Sequence, residues 1–277
     1  MKYIGQDIVF ADGTTQLGGD DKAALAAMMT MAEHLCSHPE IPHGPVQIAF
    51  TPDEQIGRGI DNFEIGRFGA DVAYTVDCPR MGKLGTGSFH GGEAVFTIHG
   101  IAIHPGEAKD MMKNAVLIGT ELINMLPHLE RPQDTEGMEG YFHAYHFEGS
   151  VDEARVKCLI RDHNRQHFEE RVQYIRKRAE ALNKRYGKGT IELKYTEGQH
   201  NMKETIDTVP YMVDYALQAM EAAGVEAKTL SIRGGSDGVC LCEKGLPCTN
   251  ISAGYENEIS RFEFVPVQSM EKMLIFY

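Results

Sequence analysis

The sequence predicts an α/β protein with a doubly wound, mostly parallel sheet into which a ferredoxin-like βαββαβ domain is inserted. Two observations favour this fold class. Near both ends of the chain, short apolar runs bounded by Pro, Gly or Asp alternate with amphipathic helical segments, which is typical of a parallel sheet covered by helices. The middle of the chain instead follows the order strand, helix, strand, strand, helix, strand. That order is the split βαβ motif, which forms a compact domain by itself.

The first predicted element is a helix from Asp20 to about His38. Its apolar residues recur at intervals of three and four, as expected for one face of an amphipathic helix. These residues are Ala24, Leu25, Met28, Ala32 and Leu35. Asp20 and Asp21 fall in the first turn, where carboxylates suit the helix dipole.

Two short apolar runs after this helix, 46–50 and 72–76, are predicted to be buried strands. Beyond Asp77, five glycines crowd into eleven residues, which indicates a flexible crossing out of the first domain. These are Gly82, Gly85, Gly87, Gly91 and Gly92.

The inserted domain is predicted to consist of four strands and two helices. In chain order they are strand 93–98, helix 111–126, strands 141–148 and 154–161, helix 166–186 and strand 190–196. The α/β pattern then resumes with helix 209–223, strand 228–232, loop 234–238 and strand 248–252. We therefore expect three segments: 1–88 as the first part of the α/β domain, 89–199 as the inserted domain, and 200–277 as the second part.

Composition excludes several classes of function. The 277 residues include 27 Lys and Arg against 40 Asp and Glu, a net charge of −13. This acidic balance disfavours nucleic acid and anionic membrane surfaces as partners. The sequence contains neither an apolar run of about 18 residues nor a signal-peptide layout, so a cytoplasmic location is expected.

The six cysteines are irregularly spaced, which is typical of reduced cytoplasmic thiols. Cys240, Cys242 and Cys248 leave open a metal-binding alternative, but no second Cys pair with finger-like spacing supports it.

Acidic residues cluster where the predicted strands end. Asp20 and Asp21 lie at a helix start, Asp53 and Glu54 follow the first strand, and Asp77 follows the second. Ligands of open α/β sheets bind at the carboxyl ends of the strands. Carboxylates that converge there repel one another unless a cation neutralises them, which points to a metal site. The alternative is that these residues only cap helices and strands.

The residues around these carboxylates form a series of short motifs that continues to the end of the chain. They are LGGDDK at 17–22, TPDEQIG at 51–57, YTVD at 74–77, IHPG at 103–106, IRD at 160–162, NM at 201–202, IRGGSDG at 232–238 and EFVP at 263–266. In this order the motifs resemble those of the M20 family of dizinc exopeptidases, in its peptidase T branch of tripeptide aminopeptidases. The resemblance covers essentially the whole chain.

The resemblance implies a role for four of these acidic residues. Asp20 corresponds to the aspartate that bridges two zinc ions, and Asp21 to its partner, often joined to it by a cis peptide bond. Glu54 corresponds to the general base, which takes a proton from the water that attacks the peptide carbonyl. Asp77 corresponds to a terminal carboxylate on the first zinc.

The resemblance also implies substrate contacts and a partner. His104 corresponds to a histidine of the inserted domain that reaches the site of a partner subunit and polarises the scissile carbonyl. The inserted domain would accordingly serve as a lid and form a homodimer. Arg233 corresponds to the residue that holds the carboxylate of a short peptide, a task suited to a planar guanidinium. His104 before Pro-Gly also fits a plain turn.

Arg161 and Asn201 are two further candidate substrate contacts. Each has a structural alternative: Arg161 at a strand end fits an ion pair with Asp162 or Asp207, and Asn201 fits a turn.

Three departures from the family pattern bear on activity. Gln55 stands where the second zinc should have a glutamate, and an amide is a weak replacement for a carboxylate ligand. Ile259 stands where that zinc should have a histidine, and Glu256 or Glu258 could replace it only after a local shift. The chain also begins after the position of the family's His-x-Asp motif, so we expect it to be N-terminally incomplete. We therefore expect poor zinc binding and slow or absent hydrolysis of tripeptides.

Two other functions remain open at this level. One is a non-catalytic remnant that binds peptides or only dimerises through the inserted domain. The other is a different M20-like hydrolase, an acylase or a carboxypeptidase.

Overall fold

The computed structural model describes residues 2–277 of the chain. The strands are β1 (Ile8–Phe10), β2 (Ala73–Cys78), β3 (Lys83–Gly87), β4 (His90–His99), β5 (Tyr141–Gly149), β6 (Glu153–Asp162), β7 (Ile191–Glu197), β8 (Lys228–Ser231), β9 (Cys248–Ser252) and β10 (Phe264–Pro266). The helices are α1 (Gly19–Ser37), α2 (Ile65–Phe68), α3 (Ala115–Asn124), α4 (Arg165–Tyr186), α5 (Lys203–Ile206), α6 (Tyr211–Ala222), α7 (Asp237–Glu243) and α8 (Val267–Phe276). Short 3₁₀ turns occur at Glu54–Ile56, Pro105–Glu107 and Pro132–Asp134. These elements confirm the predicted α/β fold class.

One compact unit combines the residues up to Ser88 with Met202–Tyr277. Its four-stranded sheet has the order β2-β9-β3-β8, in which β2 is parallel to β9, β3 is parallel to β8, and β3 is antiparallel to β9. A separate ribbon pairs β1 with β10. The sheet and helices α1, α6 and α8 enclose a core that includes Ala24, Leu84, Met220, Tyr255 and Met273. This core fixes β2, which carries Asp77, and α1, at whose start Asp20 and Asp21 lie.

The predicted strand at 46–50 is wrong. The segment forms no strand, and Val46 and Phe50 are each about half exposed. An apolar run becomes a strand only where a neighbouring strand completes its ladder, and within residues 2–277 β2 pairs with β9 alone in the sheet order. Pro45 and Pro52, which lack an N–H to donate, flank the segment.

The glycine-rich crossing predicted after Asp77 is also wrong, because it contains strand β3 and the start of β4. The glycines there serve close packing. A Cβ on Gly85 would lie 3.1 Å from Ile232 Cγ2 and 3.2 Å from Asn250 Cβ, which is tighter than ordinary side-chain contact. Glycine density alone does not separate a flexible linker from a strand crowded on both faces.

The second compact unit, Phe89–Asn201, has the order β4-α3-β5-β6-α4-β7. All three pairings in its sheet, β5-β6-β4-β7, are antiparallel, as in a ferredoxin-like fold. Helices α3 and α4 cover the sheet over a core that includes Phe96, Ile98, Ile118, Leu122, Ile160, Phe168 and Ile175. The alternation of Ala154, Val156, Cys158 and Ile160 along β6 places these side chains in that core.

Helix α3 starts later than predicted because Asn114 caps it. The Asn114 Oδ1 atom accepts hydrogen bonds from Val116 N at 3.0 Å and from Leu117 N at 3.2 Å. We expect Asn114→Ala to lower the free energy of unfolding by about 1 kcal/mol, because it leaves these N–H groups without their cap. Urea denaturation would measure the change. Asn114→Asp, which keeps an acceptor oxygen, should stay near wild type, and an equal loss in both variants would contradict the capping role.

No helix among residues 2–277 is long and apolar enough to cross a membrane.

Candidate active site

A buried glutamate directly before β10 holds the turn that carries Asp20. Glu263 is 2% exposed, and its two carboxylate oxygens accept hydrogen bonds from Gly18 N and Asp20 N, both at 2.7 Å. The peptide bond between Asp20 and Asp21 is cis, and both residues have non-helical backbone angles. The regular part of α1 therefore begins after this turn, and the helix dipole does not account for the two aspartates.

Asp20 lines an open cleft of about 620 Å³ formed entirely by residues of the first unit. Five predicted site residues line it together, namely Asp20, Glu54, Gln55, Asp77 and Arg233. Arg80, Lys83, Ser236, Tyr255, Glu258 and Ile259 also contribute to its wall. The cleft thus combines a group of carboxylates with cationic side chains.

The carboxylates at the base of the cleft are crowded and poorly solvated. Burial raises the pKa of Asp77 to about 7, and the nearby charges of Glu54 and Asp20 add to this shift. Tyr255 OH donates a hydrogen bond to Asp77 Oδ1 at 3.0 Å, which opposes it. Burial likewise raises the pKa of Asp21 to about 9, and its Oδ1 atom is buried with no hydrogen bond among the described residues.

Glu54 and Gln55 lie on a 3₁₀ turn beside this group. Burial is the main reason that the pKa of Glu54 is raised, followed by the charges of Asp237 and Asp20. The neighbouring Gln55 is exposed, and its Nε2 atom donates a hydrogen bond to Asp20 Oδ2 at 3.2 Å. Gln55 therefore meets Asp20 through its donor group rather than as a second oxygen ligand.

These donors do not fit a pair of metal ions. Asp20 and Asp77 supply carboxylates, but Ile259 offers no donor atom and its side chain is 65% exposed at the cleft wall. Within residues 2–277 no group of three or more His, Cys, Asp or Glu side chains is arranged to hold a metal. Catalytic zinc generally needs three protein ligands.

Glu256 is not free to replace the missing histidine. Its Oε1 atom accepts from Lys2 Nζ at 3.0 Å and from the hydroxyl of Tyr3, and its Oε2 atom accepts from Arg80 Nε at 3.2 Å. Glu258, in contrast, is exposed and lines the cleft.

The other predicted substrate residues belong to the second unit. His104 is exposed, and its Nδ1 atom accepts from Gly106 N at 3.2 Å, which caps the turn Pro105–Glu107. Arg161 is half-buried and donates through Nη1 to two backbone oxygens, those of Gly92 at 3.2 Å and Ile160 at 3.0 Å.

Asn201 is buried in the same unit, and its side chain donates to the backbone oxygen of His163 at 2.9 Å. The Arg161 guanidinium and the Asn201 amide thus donate to backbone oxygens of their own unit, and neither residue lines the cleft.

Sequence reasoning assigned no role to three residues that shape the cleft. Tyr255 hydrogen-bonds Asp77, Glu263 holds the Asp20 turn, and Asp237 is hydrogen-bonded to the loop that carries Glu54. Two of them, Asp237 and Glu263, lie inside the motifs IRGGSDG and EFVP. Those motifs were therefore the available signal, whereas Tyr255 had none.

Comparison with known proteins agrees with this architecture. The family model described as the peptidase dimerisation domain of M20 matches residues 86–187. Aminopeptidase PepT from Bacillus cereus has the same fold, with a TM-score of 0.84 at 24% identity over 97% of this chain and 72% of that one. A dimerisation domain of this kind, inserted into an α/β unit, indicates a peptidase of the M20 class.

Curated relatives narrow the class. Peptidase T from Caldanaerobacter subterraneus subsp. tengcongensis is 47% identical over 270 residues, which cover 98% of this chain and 66% of the relative. Peptidase T from Clostridium botulinum (strain Loch Maree) is also 47% identical, over 98% of this chain and 67% of the relative. The chain belongs to the peptidase T family. It spans about two thirds of the length of the curated relatives that it matches.

Proposed function

We propose that the chain is a peptidase T-type exopeptidase subunit that removes the N-terminal residue of short peptides, with Glu54 as the general base, and that its metal centre is impaired. One observation carries the proposal: Asp20, Glu54, Asp77 and Arg233 line a single cleft in a member of this family. A cleft with carboxylates and a guanidinium suits a peptide zwitterion, because each group meets an opposite charge.

Each of these cleft residues would have its own role in the reaction. Arg233 would hold the peptide carboxylate through its planar fork of donors. Glu54, half-buried beside other acids, would accept a proton from the water that attacks the peptide carbonyl and return it to the leaving amine. Asp20 and Asp77 would supply the negative charge that attracts a cation or the peptide's ammonium group.

Gln55 and Ile259 are the reason to expect impairment. The family resemblance implies zinc as the metal, two ions per site, and both substitutions remove charged or basic donors from the same ion. A site left with few carboxylates binds zinc weakly, because zinc prefers several charged or imidazole ligands. The proposal therefore combines an intact peptide cleft with a deficient metal site.

The inserted unit supports a homodimer as a further part of the proposal, and the thiols support a cytoplasmic location. We infer that the chain forms a homodimer through the matched dimerisation domain, with His104 contributing to the partner's site. All six cysteines, which lie within the described residues, are free thiols, as is usual in a reducing cytoplasm.

Zinc titration and a tripeptide assay test the proposal. By isothermal titration we expect a zinc Kd above about 1 µM. Tripeptide turnover should be slow, and Glu54→Gln should abolish what remains, because an amide cannot accept the proton. Sub-micromolar zinc binding with robust turnover would contradict the impairment. Turnover unaffected by Glu54→Gln would contradict the role of Glu54.

The second candidate is a non-catalytic peptide-binding protein. It is favoured by the retention of Arg233 in a cleft where Ile259 faces the same space. Tripeptide binding that Arg233→Gln weakens, without turnover in wild type, would favour this candidate over the enzyme.

A further inference from the structure

We propose that Asp237 is a positioning residue that fixes the loop 51–59 and with it Glu54; the inference rests on the proposed role of Glu54 as general base. This loop has little structure of its own. It contains only the 3₁₀ turn Glu54–Ile56, and most of its residues are exposed. A general base must be held within a fraction of an ångström of its working position, so another part of the molecule has to define where the loop lies.

Asp237 contacts the loop at its beginning, middle and end. Thr51 Oγ1 donates a hydrogen bond to Asp237 Oδ2 at 2.6 Å. The backbone of Asp237 also lies close enough to the Glu54 carboxylate to oppose the rise of its pKa. At the far end, a Cβ on Gly59 would lie 2.4 Å and 2.5 Å from the two carboxylate oxygens of Asp237, so the loop backbone passes directly against this side chain.

Asp237 is itself held firmly by the sheet. It is 7% exposed and is the first residue of α7. The preceding residue, Ser236, donates through Oγ to Asn250 Oδ1 at 3.3 Å, and Thr75 Oγ1 donates to the same oxygen. Asn250 lies on β9 and Thr75 on β2, so two adjacent strands of the sheet define the position of this segment.

These contacts form a continuous connection from the sheet to Glu54. The loop does not pair with a strand, so its geometry depends on one carboxylate that is anchored to the core. This accounts for Asp237 and Gly59 without assigning either to substrate contact. If Asp237 only stabilised α7, its loss would affect the whole unit, whereas a positioning role predicts an effect confined to the loop.

Hydrogen exchange measured by mass spectrometry on the full chain tests the proposal. In Asp237→Ala we expect exchange in peptides covering 51–59 to become about ten-fold faster, the effect of losing one hydrogen bond to a charged group. Peptides from α6 (Tyr211–Ala222) should exchange as in wild type. Faster exchange throughout the first unit would overturn the proposal in favour of a purely structural role.

Thr51 supplies a matched pair of variants that leaves Asp237 in place. Thr51→Val has nearly the same shape but no hydroxyl, and it should also accelerate exchange of the loop, whereas Thr51→Ser keeps the donor and should restore wild-type exchange. Combining Thr51→Val with Asp237→Ala should add nothing further, because both remove the same bond. Unchanged loop exchange in both single variants would overturn the proposal.

The kinetics of tripeptide hydrolysis test whether the loop also positions Glu54. Asp237→Ala should lower kcat for a tripeptide by about ten-fold with KM unchanged, because a displaced base affects the reaction and not peptide binding. A change in KM alone would overturn the proposal. A wild-type chain without turnover would contradict the proposed function only, since the exchange measurements do not depend on hydrolysis.

Discussion

The double substitution of Gln55→Glu and Ile259→His is expected to raise the zinc affinity of this chain by at least about 100-fold. Each change supplies a group that binds zinc well, a carboxylate and an imidazole, at the wall of the cleft that contains Asp20. Together with Asp20 they complete a set of three protein ligands for one ion. Isothermal titration of wild type and variant under the same buffer conditions would measure the difference.

The geometry at position 55 favours this outcome. Gln55 Nε2 lies 3.2 Å from Asp20 Oδ2, so a glutamate there would bring a second carboxylate oxygen beside the first. Without a cation the two carboxylates repel each other, whereas a bound cation is shared between them and removes the repulsion. Gln55→Glu alone should therefore lower the free energy of unfolding slightly in the absence of zinc, an effect that added zinc reverses.

The backbone at position 259 also favours histidine. Ile259 has φ at 56°, in the left-handed region that β-branched residues rarely adopt and histidine tolerates better. The side chain is exposed, so its replacement disturbs no core packing. Ile259→His should therefore fold at least as well as wild type.

Matched controls separate metal binding from these backbone effects. Ile259→Asn has the same tolerance for positive φ but is a poor zinc ligand, so Gln55→Glu combined with Ile259→Asn should bind zinc far more weakly than the histidine version. Equal affinity of the two double variants would contradict the ligand role of position 259. If neither double variant bound zinc more tightly than wild type, the proposal that Gln55 and Ile259 impair the metal site would be contradicted.

The extent to which the sequence predicts this structure differs between units. The βαββαβ unit was predicted closely, because its alternation along β6 and its long amphipathic helix α4 are local signals. The segment 46–50 and the glycines of β3 were misjudged, because their state depends on which strands are adjacent. Local patterns do not carry that information.

The candidate site shows the same limit. Of the motif residues that line the cleft, Asp77 lies on β2 and Arg233 follows β8 of the same sheet. Asp20 and Glu54 instead lie on a turn and a loop that follow no strand of that sheet, so strand order alone does not bring them there. The backbone contacts of Glu263 and the loop contacts of Asp237 are formed between segments distant in sequence. Burial of a polar residue is decided by its partners, which a single sequence does not reveal.

Glu263→Gln is expected to lower the free energy of unfolding by about 3 kcal/mol. The Glu263 carboxylate uses one oxygen for Gly18 N and the other for Asp20 N, and a glutamine has only one oxygen. Its NH₂ group would face a backbone N–H at a site where the side chain is 2% exposed, so two buried donors would lack acceptors. Urea denaturation would measure the loss, with Glu258→Gln as the matched control.

Glu258 is exposed and lines the same cleft, so its change to glutamine should alter the free energy of unfolding by less than about 0.5 kcal/mol. A loss of under about 1 kcal/mol in Glu263→Gln, or equal losses in the two variants, would contradict the argument. The reason is specific to the turn. Asp20 departs from helical geometry just before α1 becomes regular, so helix formation alone does not set its position. The paired acceptors of Glu263 therefore determine where the Asp20 carboxylate lies.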